Sequence, residues 1–416
     1  MNILILILIC LLVVILFLIV LIYLVNKKYS VSYVDYDTID TWEDNTMDLF
    51  NKTYYMNCLN FINYIYDLYA DSVTKTNTVL GDITKQIEVN FLVVEPKILF
   101  SQSNITNRLR KIPLVNMEYY TPFGIIGKIQ NSRTGIITFR GTTNLSEWSK
   151  DFSSFNLDSP GNLPSSTKNV GSMVAFTGMD KLSTDVQVGN GWLDIYTNTP
   201  GQITKNNCVC SSNCKNNSCR IVYPNQMGKI AGISECRGPN KPCGLLLCNQ
   251  CENDVIGNPI CKNIFDYISN HIDEIDDYIV CGHSLGAAVA TLCAFHIEKV
   301  FPGRVKCLYS FASPMIGNQN FANVFNPLLE EKTFRIANVN DSVPYLPGST
   351  PGKSETNLVK DYKNIANTCY TFDQTFPGEK PYSSYYHFLN QSYKKSFDTI
   401  MSNLSDPNFC AQNKKI

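Results

Sequence analysis

Tyr278-Ile279-Val280-Cys281-Gly282-His283-Ser284-Leu285-Gly286-Ala287-Ala288-Val289-Ala290-Thr291-Leu292 is the stretch that decides the fold. Tyr278–Cys281 is a short apolar run of strand character, and the small apolar residues after Gly286 suit a buried helix. Between them stands Gly-x-Ser-x-Gly. Alone that pattern is weak; between a strand and a helix it describes a sharp turn that lifts a serine hydroxyl clear of a sheet. The glycines are needed because side chains there would collide with the neighbouring strand and helix. Ser284 is therefore the candidate nucleophile. The N–H of Leu285, at the helix start, is placed to face an oxyanion. An inert serine in a glycine-rich turn is the competing reading.

Outward from this turn, Lys306–Phe311 and Thr333–Val339 read as strands, with a helix over Asn318–Glu331 between them. Upstream, Ile264, Ile268 and Ile272 give Ile260–Ile275 a helical period. The runs Phe123–Ile129 and Gly135–Phe139, separated by Asn131-Ser132-Arg133-Thr134, predict a hairpin. Leu49, Met56, Leu59, Ile62 and Tyr66 predict an amphipathic helix over Met47–Tyr69. Residues 152–190 show no usable period and read as loop. Alternating strands and helices predict an α/β sheet with parallel central strands.

A serine nucleophile needs a base, and the chain has four histidines. In this architecture the order is Ser, then Asp or Glu, then His. His271 precedes the nucleophile, His283 sits inside its turn, and His296 lies in the next helix. That leaves His387 to take the proton from Ser284 and return it to the leaving group. Asp341, in Asn340-Asp341-Ser342-Val343-Pro344 at a strand's carboxyl end, is the candidate acid, with Asp361 and Asp373 as alternatives. Turn chemistry alone also accounts for Asp341.

Taken together these segments resemble the fungal-lipase-like (class 3) lipases, from about Phe123 to His387. Gly282–Ala288 resembles that family's elbow. Phe311-Ala312-Ser313-Pro314-Met315-Ile316-Gly317-Asn318 resembles its Phe-Gly-x-Pro-Arg-Val-Gly-Asn segment, and Arg335–Pro344 the segment bearing its acid, which favours Asp341. Phe139-Arg140-Gly141-Thr142-Thr143 resembles its oxyanion strand, so the resemblance implies that Thr142 supplies the second oxyanion N–H. It also implies a lid over Asn144–Trp148, including Leu145 and Trp148, whose apolar face would cover the site or lie on lipid. Core packing is the plain alternative for Trp148. The chain departs from the family in having no His near Gly189-Asn190-Gly191-Trp192-Leu193. Met315 stands in place of Arg, and Phe388-Leu389-Asn390, directly after His387, lacks the family's customary Gly and acid.

The resemblance implies an α/β-hydrolase with a central, mostly parallel sheet flanked by helices. Its expected activity is that of a carboxylic ester hydrolase acting on acylglycerols. Phospholipase A1-type cleavage, a soluble-ester esterase and a non-catalytic binding protein are the alternatives. This chemistry requires no cofactor and no metal. Net charge is −1, from 35 basic and 36 acidic residues, with no basic stripe, so no nucleic-acid partner is expected.

Two features lie outside that resemblance. From Ile3 to Val25 every residue is apolar or Tyr, followed by Lys27 and Lys28. As a helix this run rises roughly 30 Å or slightly more, enough to cross a bilayer, and predicts a single transmembrane anchor, with a cleaved signal peptide as the alternative. Of the 16 cysteines, Cys208, Cys210, Cys214, Cys219, Cys236, Cys243, Cys248, Cys251 and Cys261 crowd one stretch. Stapling by disulfides is preferred over zinc, since the stretch has no His and no repeated spacing. The lysines place the bulk of the chain on the cytosolic side and the cysteines on the lumenal or extracellular side; the cysteines weigh more. The expected organisation is an anchor (1–28), a stalk and N-terminal helical region (29–122), and the hydrolase domain (123–400). A cysteine-rich insert (199–258) interrupts that domain. A lipid ester at a membrane or lipid surface is the expected partner.

Overall fold

A computed structural model describes residues 37–43, 48–74, 78–104, 118–142, 173–175, 185–197, 220–221, 259–347, 362–366 and 370–405. The predicted anchor, the lid residues Leu145 and Trp148, Asp361 and nearly all of the cysteine-rich insert lie outside them. Among the described residues no helix is long and apolar enough to cross a membrane.

Seven strands form the main sheet. In chain order they are β1 (Val93–Asn104), β2 (Glu118–Ile129), β3 (Thr134–Phe139), β4 (Asp277–His283), β5 (Val305–Phe311), β6 (Thr333–Asn338) and β7 (Thr371–Phe372). Their spatial order is β7-β6-β5-β4-β3-β2-β1. From β3 to β7 all neighbours are parallel, and β2 and β1 add an antiparallel edge. Val280 pairs with Ile137 on one side and Leu308 on the other, which places the strand leading to Ser284 inside the sheet.

Alternation along the strands divides the core. Tyr278, Val280 and Leu308 join the cluster formed with α3 (Asn190–Thr197), α4 (Ile260–Asn270), α5 (Leu285–Val300) and α6 (Gln319–Leu329). Tyr309 and Phe311 belong to the opposite face. There Tyr55, on helix α1 (Lys52–Thr74), lies 5.2 Å from Phe311 and 5.2 Å from Phe397 of α7 (Phe397–Leu404), centroid to centroid. Helix α5 is buried almost all round, so its small side chains let it lie close against the sheet.

Several boundaries differ from the sequence reading. Helix α1 starts at Lys52, because Asn51 Oδ1 accepts the Tyr54 N–H at 2.7 Å and caps it. Leu49 and Phe50 bend into the helix, with Phe50 stacked on Tyr309 and Phe397 and tilted against Phe334 and Tyr370. Helix α4 ends at Asn270, and Ile275 is buried in the turn that feeds β4. Within 152–190, read as loop, Met173–Ala175 pairs with Gln187–Gly189; a bridge from Val188 to Gly317 ties this ribbon to the core.

Upstream of residue 123, helices α1 and α2 (Leu80–Phe91) pack on the sheet and strand β1 pairs within it. Strand β1 escapes a period-two reading because a bulge between Val94 and Lys97 interrupts it, with Glu95 at φ 51 and a proline beside it.

Candidate active site

Strand β4 ends in Gly282-His283, and helix α5 opens at Leu285, so Ser284 alone makes the turn. Its φ of 56 and ψ of −127 lie where L residues with a Cβ are rare. The turn survives because neighbours fix it on both sides. The Ser284 N–H donates to Phe311 O at 2.9 Å, and the Ala287 N–H to Ser284 O at 2.9 Å. Close packing explains Gly286: a Cβ there would run into the backbone of Arg140, with its carbonyl carbon 2.6 Å away.

Ser284 Oγ lies 2.7 Å from His387 Nε2, and His387 Nδ1 lies 2.8 Å from Asp341 Oδ2. An ionised carboxylate only accepts, so Nδ1 carries the proton and Nε2 is left to accept from Ser284. Asp341 is fully buried just beyond β6. Its other oxygen accepts the Val343 N–H at 2.9 Å. Asp373, the rival acid, is exposed and accepts from Asn340 Nδ2 at 2.8 Å instead.

Three neighbours escaped the sequence reading. Tyr393 Oη donates to Asp341 Oδ2 at 2.7 Å, beside the imidazole. Burial and the adjacent carboxylate push the Tyr393 phenol well above its ordinary pKa, so it stays a donor. Tyr393 is brought there by a π-helical turn, Leu389–Tyr393, which no 3.6-residue period could reveal. The second is His283, whose Nε2 donates to His387 O at 2.9 Å. Burial, then the nearby His387, lower its pKa well below the usual histidine value, so it is neutral. Its Nδ1 therefore accepts from Tyr66 Oη at 2.7 Å. Tyr66, on α1, is the third.

Tyr66 Oη in turn accepts the Gly141 N–H at 2.7 Å. Buried Arg140 donates from its NH1 to Gly141 O at 2.7 Å and from Nε to Pro122 O at 2.7 Å, with Tyr69 stacked 4.4 Å from its guanidinium carbon. Gly141 is thus held at both N and O. In a trans peptide the following N–H points opposite to the carbonyl, so fixing Gly141 O also aims the Thr142 N–H. That backbone lies against Ser284: a Cβ on Gly141 would be 2.8 Å from Ser284 Cβ. Leu285 opens α5, and its N–H is among those that a helix start leaves unpaired.

Met315, which departs from the Arg that the resemblance implied, is buried. Arg335, from the next strand, is also buried and donates to Ser313 O at 3.3 Å and Pro344 O at 2.9 Å. Burial lowers its pKa to about 10. Trp192 is a core residue, donating from Nε1 to Ile316 O at 2.9 Å. Among the described residues Cys58, Cys261, Cys281, Cys293 and Cys307 are free thiols.

The fold and this arrangement define an open α/β protein with a hydrogen-bonded Ser284–His387–Asp341 line. Residues 136–350 match the family described as Lipase (class 3), and the chain belongs to that family. A secreted mono- and diacylglycerol lipase of Malassezia globosa is 31% identical over 125 residues, 30% of this chain and 40% of that protein. A chloroplastic phospholipase A(1) of Arabidopsis thaliana is 34% identical over 103 residues, 24% of this chain and 22% of that protein. The chain therefore spans two fifths or less of these relatives' length. The solved triacylglyceride lipase of Rhizomucor miehei is 15% identical with a TM-score of 0.35, covering 72% of this chain and 77% of that one.

Proposed function

We propose that this protein is a lipase that hydrolyses carboxylic esters of acylglycerols through Ser284, His387 and Asp341. The observation that carries the reading is the hydrogen-bonded line from Ser284 Oγ through the imidazole to Asp341. Ser284 Oγ attacks the acyl carbon while His387 Nε2 takes its proton. Asp341 holds the imidazole in the Nδ1–H tautomer and stabilises the imidazolium. The tetrahedral oxyanion accepts from the N–H groups of Thr142 and Leu285. His387 protonates the leaving alcohol, and water then repeats the cycle on the acyl-enzyme.

Acylglycerols are favoured as substrates by the family and by the mono- and diacylglycerol lipase among its relatives. A phospholipase A1-type cleavage is the second reading, favoured by the Arabidopsis relative. The apolar run Ile3–Val25 would hold the domain at a membrane, and Leu145 with Trp148 would form the lid over the site.

The test is hydrolysis of short- and long-chain acyl esters by the full chain in detergent, beside Ser284→Ala. Activity should vanish in that variant; equal rates would sink the assignment. Failure of a fluorophosphonate to label the folded parent would point instead to a non-catalytic binding protein.

A further inference from the structure

The segment from Phe376 to Tyr386, immediately before His387, is a compact loop closed on itself. Its ends meet where the Phe376 N–H donates to Tyr386 Oη at 3.2 Å. Within it the Glu379 N–H donates to Phe376 O at 3.1 Å, and the Ser383 N–H to Lys380 O at 3.1 Å. Tyr386 roots the loop in the core, while Pro377, Lys380, Pro381 and Tyr382 are exposed.

Tyr382 is the informative residue. Its φ is 67, a left-handed conformation that glycine or asparagine adopts with less strain. The turn therefore gains nothing from a tyrosine. The core takes only part of it: Tyr382 is 36% exposed, among the large apolar side chains that the described residues leave outside. Yet its position is held: the Tyr382 N–H donates to Asn340 O at 2.8 Å, and its ring packs edge-on to Tyr345, 6.2 Å away. Asn340 adjoins Asp341, and the loop runs into His387. A fixed, outward-facing aromatic thus sits on the segment that joins two members of the site.

An aromatic ring carrying a hydroxyl suits the boundary between lipid headgroups and acyl chains, where one end is apolar and the other wet. We infer that the loop Phe376–Tyr386 is a lipid-docking element, with the exposed part of Tyr382 entering the surface of the aggregated substrate. The inference rests on the lipase reading above, which requires the site to meet ester at a lipid surface.

Tyr382→Ser and Tyr382→Trp in the full chain test it. With diacylglycerol dispersed in phosphatidylcholine vesicles, Tyr382→Ser should lose about tenfold in rate, from the apolar area it no longer buries in lipid. With a short-chain ester below its aggregation threshold it should keep the parent rate, and Tyr382→Trp should keep both. An equal loss on both substrates would make Tyr382 a positioning residue, and no loss on vesicles would leave it without a lipid role; either result overturns the inference. A separate measurement does not depend on turnover. Tryptophan at 382, placed in the Ser284→Ala background, should add emission that acyl-brominated phosphatidylcholine vesicles quench. Unquenched added emission overturns docking, whereas a parent that hydrolyses neither ester overturns the lipase reading alone.

Discussion

Tyr393 and Asp341, on opposite sides of the segment that carries His387, are joined by a 2.7 Å hydrogen bond between phenol and carboxylate. The same carboxylate oxygen meets the imidazole at 2.8 Å. Tyr393 therefore competes with His387 for the charge of Asp341 and fixes where that charge sits. Removing the phenol leaves the shared carboxylate oxygen held by the imidazole alone, so Asp341 orients His387 less firmly. In Tyr393→Phe kcat on a soluble ester should fall about threefold with KM little changed. An unchanged kcat would mean the phenol serves packing alone.

Tyr66 links two parts of the machinery that lie far apart in sequence. Its hydroxyl accepts from Gly141 and donates to His283, which donates to the backbone of His387. Tyr66→Phe strands a buried N–H and a buried imidazole nitrogen, at a cost of about 1–3 kcal/mol in stability. It should also loosen the Thr142 N–H, lowering kcat about tenfold with little change in KM, since the oxyanion exists only after binding. A variant that loses stability but keeps kcat would show the relay to be structural only.

The contact of Gly286 with Arg140 predicts intolerance of a single methyl group. In Gly286→Ala the new Cβ meets Arg140 C at 2.6 Å and Phe139 O at 2.7 Å, both backbone atoms that cannot rotate away. Overpacking of this kind costs about 3 kcal/mol, enough to lower the Tm of a unit this size by roughly 4 °C. Calorimetry reads this directly, and an unchanged Tm would contradict the closeness of helix and strand.

Acid should weaken the fold through its buried histidines. His296, with Tyr196 Oη 3.1 Å from Nδ1 and the Phe265 ring 4.2 Å away, has its pKa lowered by burial from 6.5 to about 4. Between those values the unfolded chain binds a proton that the folded chain refuses. This contribution is therefore whole above pH 6.5, falls as pH drops, and levels off below about 4. The urea midpoint should fall between pH 7 and about 4.5. His296→Gln should remove part of that fall; parallel curves for parent and variant would exclude burial of this histidine as a cause.

The sequence by itself determined the strand–turn–helix about Ser284, because apolar runs and a serine between glycines are local facts. It also singled out His387 and Asp341, through chain order, elimination and resemblance to the class 3 lipases. Helix α5 was legible from its start at Leu285, since its small side chains admit burial and little else. What it left open was every relation between segments with no shared period. Tyr66 sits in an ordinary amphipathic helix, His283 reads as part of a turn, and Tyr393 follows a turn of π-helix. Strand β1 hides behind its bulge. These residues acquire their roles only when the sheet brings α1, β3, β4 and the segment after β7 to one end. Hydrogen bonds of under 3 Å between residues 75 to 217 positions apart are set by tertiary packing, which local composition does not encode.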